Sequence, residues 1–132
     1  MQVYMDTCVY CRPFDDQSQD RISKETDAFA HILELAEKGD LVVVGSDVLG
    51  DEIEGILDAH KKAKVKEFLN ICEMHIELSE NLVELARELK DRGNITGADA
   101  LHIASACKAE YFITCDDFIL SRRDRTGELL KE

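Results

Sequence analysis

Four short runs rich in β-branched and apolar residues, "QVYM" at 2–5, "LVVV" at 41–44, "MHIEL" at 74–78 and "YFIT" at 111–114, read as strands, and each is separated from the next by a long segment of helical periodicity. That alternation constrains the fold more than any other feature. Antiparallel neighbours can be joined by tight turns, whereas strands separated by helices require crossover connections, which place them in parallel and put helices on both faces of the sheet. The expected fold class is therefore α/β: a three-layer α/β/α arrangement around a central parallel sheet of about four strands.

The intervening segments carry recognisable helix signals. Over 27–38, Phe29, Ile32, Leu33 and Ala36 fall on one stripe, with Asp27 as the expected N-cap and Gly39 just past the end. From Ser79 to Arg92 the stripe is Leu82, Val83, Ala86 and Leu89, stopped by Gly93-Asn94. Residues 47–70 make one long helix or two short ones, and their "HKKAKVK" stretch, with Lys61, Lys62, Lys64 and Lys66, reads as a solvated basic face. The "ADALHIASACKA" segment at 98–109 is rich in Ala and Ser, which lets a helix backbone approach a sheet closely, so it is expected to be buried.

A length of 132 residues suits one domain spanning 1–132 with a single core. No apolar stretch approaches the roughly 18 to 20 residues of a membrane span, and Asp6 and Arg12 interrupt any secretory h-region, so no membrane association and a cytoplasmic location are expected. Five cysteines, an odd number, read as scattered reduced thiols rather than a disulfide framework. The formal net charge of -12 repels phosphate backbones, so any role on nucleic acid has to work through metal ions, a local basic patch or a basic partner.

Parallel sheets bind ligands beyond the carboxyl ends of their strands. Asp6 follows the first strand, Ser46 and Asp47 the second, and Cys115, Asp116 and Asp117 the last. Along 48–57, Leu49, Ile53, Ile56 and Leu57 share a stripe that Glu52 borders, while Asp51 and Glu54 point away; Asp99 lies in the first turn of the Ala-rich helix, where an anion is favoured. Carboxylates gathered at one edge repel by roughly 4 kcal/mol per pair at 4 Å for an effective dielectric near 20. Such a cluster implies a hard divalent cation, and oxygen ligands suit Mg²⁺ or Mn²⁺.

In this order and at these spacings the residues resemble a PIN-domain nuclease, in particular the single-domain VapC-like ribonucleases of toxin-antitoxin pairs. "VYMDT" is similar to the opening strand with its first acid, Asp6, and a following hydroxyl, Thr7; "GSDVLGDEI" to the second element, with Ser46 and the acid Glu52; "ITGADALHIASA" to the third, with Asp99; and "YFITCDDF" to the fourth, with Asp116 and its neighbour Asp117. The resemblance runs over nearly the whole chain. It implies metal-dependent cleavage of RNA phosphodiester bonds, with Asp6, Glu52, Asp99 and Asp116 holding one or two divalent ions, Asp117 as a further candidate ligand, and Thr7, Ser46 and Thr114 orienting the acids. It also implies that Arg12, in "RPFDDQ", approaches a phosphate, and that the chain pairs as a homodimer and with an antitoxin.

Other readings stand beside this one. Thr96-Gly-Ala-Asp99 fits a helix capping box, and Asp116 fits a helix cap. His102, one turn after Asp99, could touch substrate, but a lone helix histidine is more often structural. Cys8 and Cys11 form a C-x-x-C after a strand, as in thioredoxin-like proteins, but Pro13 is the sole proline and cannot supply the later proline such a site needs. The thiols are read as packing residues. An aspartyl-nucleophile phosphatase using Asp6 lacks the second acid two positions on, where Cys8 stands. A non-catalytic nuclease-like module that binds a basic partner is the remaining alternative.

Overall fold

The computed structural model describes residues 1–115. Its centre is a four-stranded parallel sheet of β1 (Gln2–Met5), β2 (Val42–Ser46), β3 (Cys72–Ile76) and β4 (Tyr111–Ile113), in the order β3-β2-β1-β4. Around it lie α1 (Thr7–Cys11), a 3₁₀ turn (Arg12–Phe14), α2 (Asp20–Glu37), α3 (Asp47–Glu54), α4 (Ala59–Leu69), α5 (Glu80–Gly93) and α6 (Gly97–Ala106). This is the expected α/β class. The two inner strands, β1 and β2, are nearly continuous buried apolar sequence, as parallel strands covered on both faces must be.

Two hydrophobic clusters hold the layers together. One gathers Tyr10, Phe29, Leu49, Ile53 and Val65 from α1 to α4 against Val3, Val43 and Val44 of the sheet. The other gathers Leu82, Ala86 and Leu89 of α5 with Ala100, Ile103 and Ala104 of α6, and meets the sheet through Ile76 and Phe112. Small residues on α6 let α5 and α6 lie close together, so the Ala-rich segment is buried as expected.

Differences from expectation concern boundaries. α2 begins at Asp20, not after Asp27, and its N-cap residue is Gln19. The polar residues before Asp27 form i,i+4 ion pairs, Asp20 with Lys24 at 3.0 Å and Arg21 with Glu25 at 3.3 Å, which extend the helix with Ile22 as the sole apolar side chain to mark it. Residues 47–70 resolve into two helices, α3 and α4, separated at Gly55 and restarted where the Asp58 carboxylate accepts from the backbone N–H of His60 and Lys61. The third strand lies two residues earlier than its apolar run, because pairing with β2 sets its register, with an irregularity between Val43 and Val44. At Gly45 a Cβ would stand 3.1 Å from Cys72 Sγ, so the missing side chain permits this close approach of β2 to β3. As expected, α5 stops at Gly93 and Asn94, with Asn94 in the left-handed conformation (φ 54°).

Candidate functional site: an acid–histidine cluster at the carboxyl edge of the sheet

The chain leaves β1 at Asp6, which is buried and serves two local purposes. Its Oδ1 accepts from Thr7 N at 2.7 Å, capping α1, and its Oδ2 accepts from Thr114 Oγ1 at 2.9 Å, just beyond β4. The Asp6 backbone N–H donates to Ile113 O at 3.0 Å, continuing the β1–β4 ladder past the last strand residue. Asp6 is thus tied between the two strands that meet here.

β2 ends at Ser46, whose Oγ accepts from Leu49 N at 3.1 Å and so starts α3. One and a half turns later α3 presents Glu52, on the border of the stripe that buries Leu49 and Ile53. Thr7 Oγ1 donates to Glu52 Oε1 at 3.2 Å. The third member comes from α6. His102 is 1% exposed; its Nε2 contacts Glu52 Oε1 directly, lies 3.5 Å from Asp6 Oδ1 and is 3.3 Å from Thr7 Oγ1. Its Nδ1 is 2.7 Å from the Tyr4 hydroxyl, which is itself 2.8 Å from Ser46 Oγ.

Asp6, Glu52 and His102 each offer a ligand atom, and these atoms all lie within 4.8 Å of one another; among the described residues they form the group suited to a metal ion. Charge and burial compete in this group. Burial opposes ionisation of Glu52, yet the hydrogen bond and charge of His102, with that of Thr7, hold its carboxyl below the ordinary value. Burial likewise disfavours imidazolium, but the hydrogen bond to Glu52 and the charges of Asp6, Glu52 and Asp99 raise His102 above its ordinary value. Burial drives the Tyr4 hydroxyl well above its usual range, keeping it a neutral bridge between Ser46 and His102.

The sequence-predicted residues fare differently. Asp6 and Glu52, distant in sequence, come together. Asp99 lies one turn before His102, half-buried and close enough to act on its charge, but outside the set of atoms within 4.8 Å. Thr96 accepts from Asp99 N at 3.4 Å, so the helix cap expected at this position is present. Asp116 and Asp117 lie outside the described residues. Thr7 and Thr114 each bond an acid, whereas the hydrogen bonds of Ser46 among the described residues cap α3 and hold Tyr4. Asp47, also at the end of β2, is engaged by His75 and by the backbone N–H of Leu78.

Arg12, expected to approach a phosphate, has carboxylate neighbours here. Its guanidinium bonds Asp15 at 2.9 Å and lies 3.4 Å from Glu25, so two carboxylates already occupy the group meant for a phosphate. Of the α4 lysines, Lys62 and Lys66 pair with Glu54, and Lys64 lies 3.9 Å from Glu67. All five cysteines are free thiols, and Cys8, Cys11 and Cys72 pack against the larger hydrophobic cluster.

His102 is expected from sequence to be structural, with substrate contact as its alternative, and it is not among the expected metal ligands. The available signal was its place in the same helix, one turn beyond Asp99, which sets both residues toward one end of the sheet. Fold and site together define a three-layer α/β protein with an acid–histidine cluster at the carboxyl edge of a parallel sheet. Compared with known proteins, the chain matches no protein-family model, no curated protein and no solved structure. Among the described residues no helix is long and apolar enough to cross a membrane.

Proposed function

We propose that the chain is a metal-dependent endoribonuclease that hydrolyses RNA phosphodiester bonds at the Asp6–Glu52–His102 site with Mg²⁺ or Mn²⁺ as the ion. One observation carries this reading: two carboxylates and an imidazole from three separate elements meet at the edge of the sheet where parallel α/β folds bind ligands. The resemblance of the ordered acids to PIN-domain nucleases supports the reaction class.

The residues present fit a divalent ion. The site offers carboxylate oxygens from Asp6 and Glu52 and one nitrogen, His102 Nε2, a donor set that favours Mn²⁺ over Mg²⁺ more than carboxylates alone would. A bound ion supplies charge neutralisation at the phosphate and a more acidic water. Asp6 and Glu52 would hold it, with Thr114 and Thr7 orienting those two carboxylates and Tyr4 fixing the ring of His102 through Nδ1. Asp99 adds negative charge behind His102, and Asp116, with Asp117 beside it, completes the acid set that the resemblance implies. Arg12 is committed to Asp15 and Glu25, so phosphate binding rests on the ion. The acidic balance, -12 overall, suits a basic protein partner such as an antitoxin tail, and the toxin role, the pairing and a homodimer belong to the same reading.

The test is purified protein with structured RNA and Mn²⁺. Cleavage should fall to background in Asp6→Asn and in Glu52→Gln, and cleavage that persists unchanged in Asp6→Asn removes the site from the reaction. A second reading has one observation in its favour: the His102 side chain already bridges Asp6 and Glu52, so the carboxylates have an internal counter-charge without any ion. On that reading the chain is a non-catalytic module for binding a partner. Calorimetric titration with Mn²⁺ separates the two, since a partner-binding scaffold shows no heat of binding that Asp6→Asn abolishes.

A further inference from the structure

Cys8 and Cys115 are 107 positions apart in sequence, yet the fold sets them side by side next to Asp6. Cys8 sits in the first turn of α1, and its Sγ accepts from the backbone N–H of Cys115 at 3.3 Å and lies 3.7 Å from Thr114 Oγ1. The two thiols are near enough to act on one another's ionisation. Cys115 is held from its other side, where Arg21 Nη2 donates to its carbonyl oxygen at 3.0 Å. Cys11, the other half of the C-x-x-C sequence, has Lys61 and Asp15 as charged neighbours.

We propose that Cys8 and Cys115 are a reversible disulfide pair, a modification site at the margin of the acid–histidine cluster. A disulfide needs its sulfurs at about 2.05 Å and its Cα atoms within roughly 7 Å. A sulfur 3.3 Å from the backbone nitrogen of its partner residue is already within side-chain rotation of that geometry. The oxidant is hydrogen peroxide. Half-buried Cys8 is the more accessible of the two thiols, so its sulfur attacks first: the peroxide O–O bond breaks, an S–O bond forms, and sulfenic acid and one water result. The Cys115 sulfur then displaces the sulfenic oxygen as a second water, forming the S–S bond. Two thiols lose two electrons and two protons in all, and a thiol reductant reverses the step. The bridge would join the first turn of α1 to the residue following Thr114, whose hydroxyl orients Asp6. This pairing rests on packing and is independent of the proposed nuclease reading.

The experiment is peptide mapping by mass spectrometry after brief exposure of the native full chain to hydrogen peroxide, with and without later dithiothreitol. The expected product is a Cys8–Cys115 cross-link as the major species, reversed by dithiothreitol, retained in Cys11→Ser and absent in Cys115→Ser. A Cys8–Cys11 link as the major product, or a Cys8–Cys115 yield no higher than in a urea-unfolded control, overturns the proposal. Because the map reads only the bond, absence of metal binding or RNA cleavage in the reduced protein would sink the nuclease reading and leave this result intact.

Discussion

Two of the acid–histidine pairs among the described residues have opposite surroundings. Asp47 and His75 meet at 2.6 Å on the surface, with their side chains 40% and 55% exposed, and Asp47 also accepts from Leu78 N. Glu52 and His102 meet at the sheet edge, where His102 is 1% exposed and joined to Tyr4, Thr7 and Asp6. Water screens the first pair from either side, and such pairs contribute little to stability. The second pair has surrendered solvent on the histidine side, so each polar atom there depends on a protein partner. The same two residue types therefore give a surface tether in one place and a poised site in the other.

Removing the buried imidazole should have the largest effect. His102→Ala leaves Asp6 and Glu52 facing each other and strips Tyr4 of a partner; the expected loss is about 3 kcal/mol in urea unfolding, the low end for a broken buried pair because Glu52 is 38% exposed and partly screened. A loss below about 1 kcal/mol would place the pair in the same class as Asp47–His75 and erase the contrast. Mn²⁺ should restore little to this variant while raising the unfolding temperature of the parent. Next in size, Tyr4→Phe removes the hydroxyl shared by Ser46 and His102 in a buried setting, and about 2 kcal/mol of destabilisation is expected by the same measurement.

The pH dependence sharpens the comparison without any change in sequence. His102 is raised in the folded state, first against burial and then by Glu52 and Asp6, so its contribution is fully present below its ordinary value of 6.5 and fades as pH rises through the folded value. Glu52 is lowered, so its contribution is present above its ordinary value of 4.5 and fades as pH falls through the folded value. Metal-free protein should accordingly be most stable between those limits and should lose stability on the alkaline side. His102→Gln should flatten that alkaline arm, and a persistent slope would assign it to another group. The smallest effect is reserved for the surface pair: His75→Ala should leave the unfolding midpoint within error and, unlike His102→Ala, leave Mn²⁺ binding unchanged.

Much of this architecture was legible in the linear order of residues. Apolar runs located all four strands to within two residues, and helical stripes located the cores of α2, α3 and α5, because burial on a regular element leaves a periodic trace, while α6 was marked by its Ala- and Ser-rich composition. Asp6 and Glu52 were legible for the same reason: one follows a strand and the other borders an apolar stripe. The start of α2 was not, since ion pairs rather than apolar periodicity extend it to Asp20. Nor was the commitment of Arg12 to Asp15 and Glu25, because Glu25 lies on another helix and no local pattern records that approach.

Parallel α/β layering, the strand ends and the identity of the first two acids follow from residue order alone, since alternation of strand and helix periods leaves few ways to bury the apolar faces. What His102 does was decided only in three dimensions. Its ring is placed by Tyr4, which is 98 positions away, and opposed by Glu52, which is 50 away. The same holds for Ser46, which serves Tyr4 and a helix start rather than an acid, and for Cys8, whose neighbour is Cys115. A side chain's charge state and partners depend on the solvent and dipoles that packing leaves around it, and those are set by contacts between distant segments that no single stretch of sequence contains.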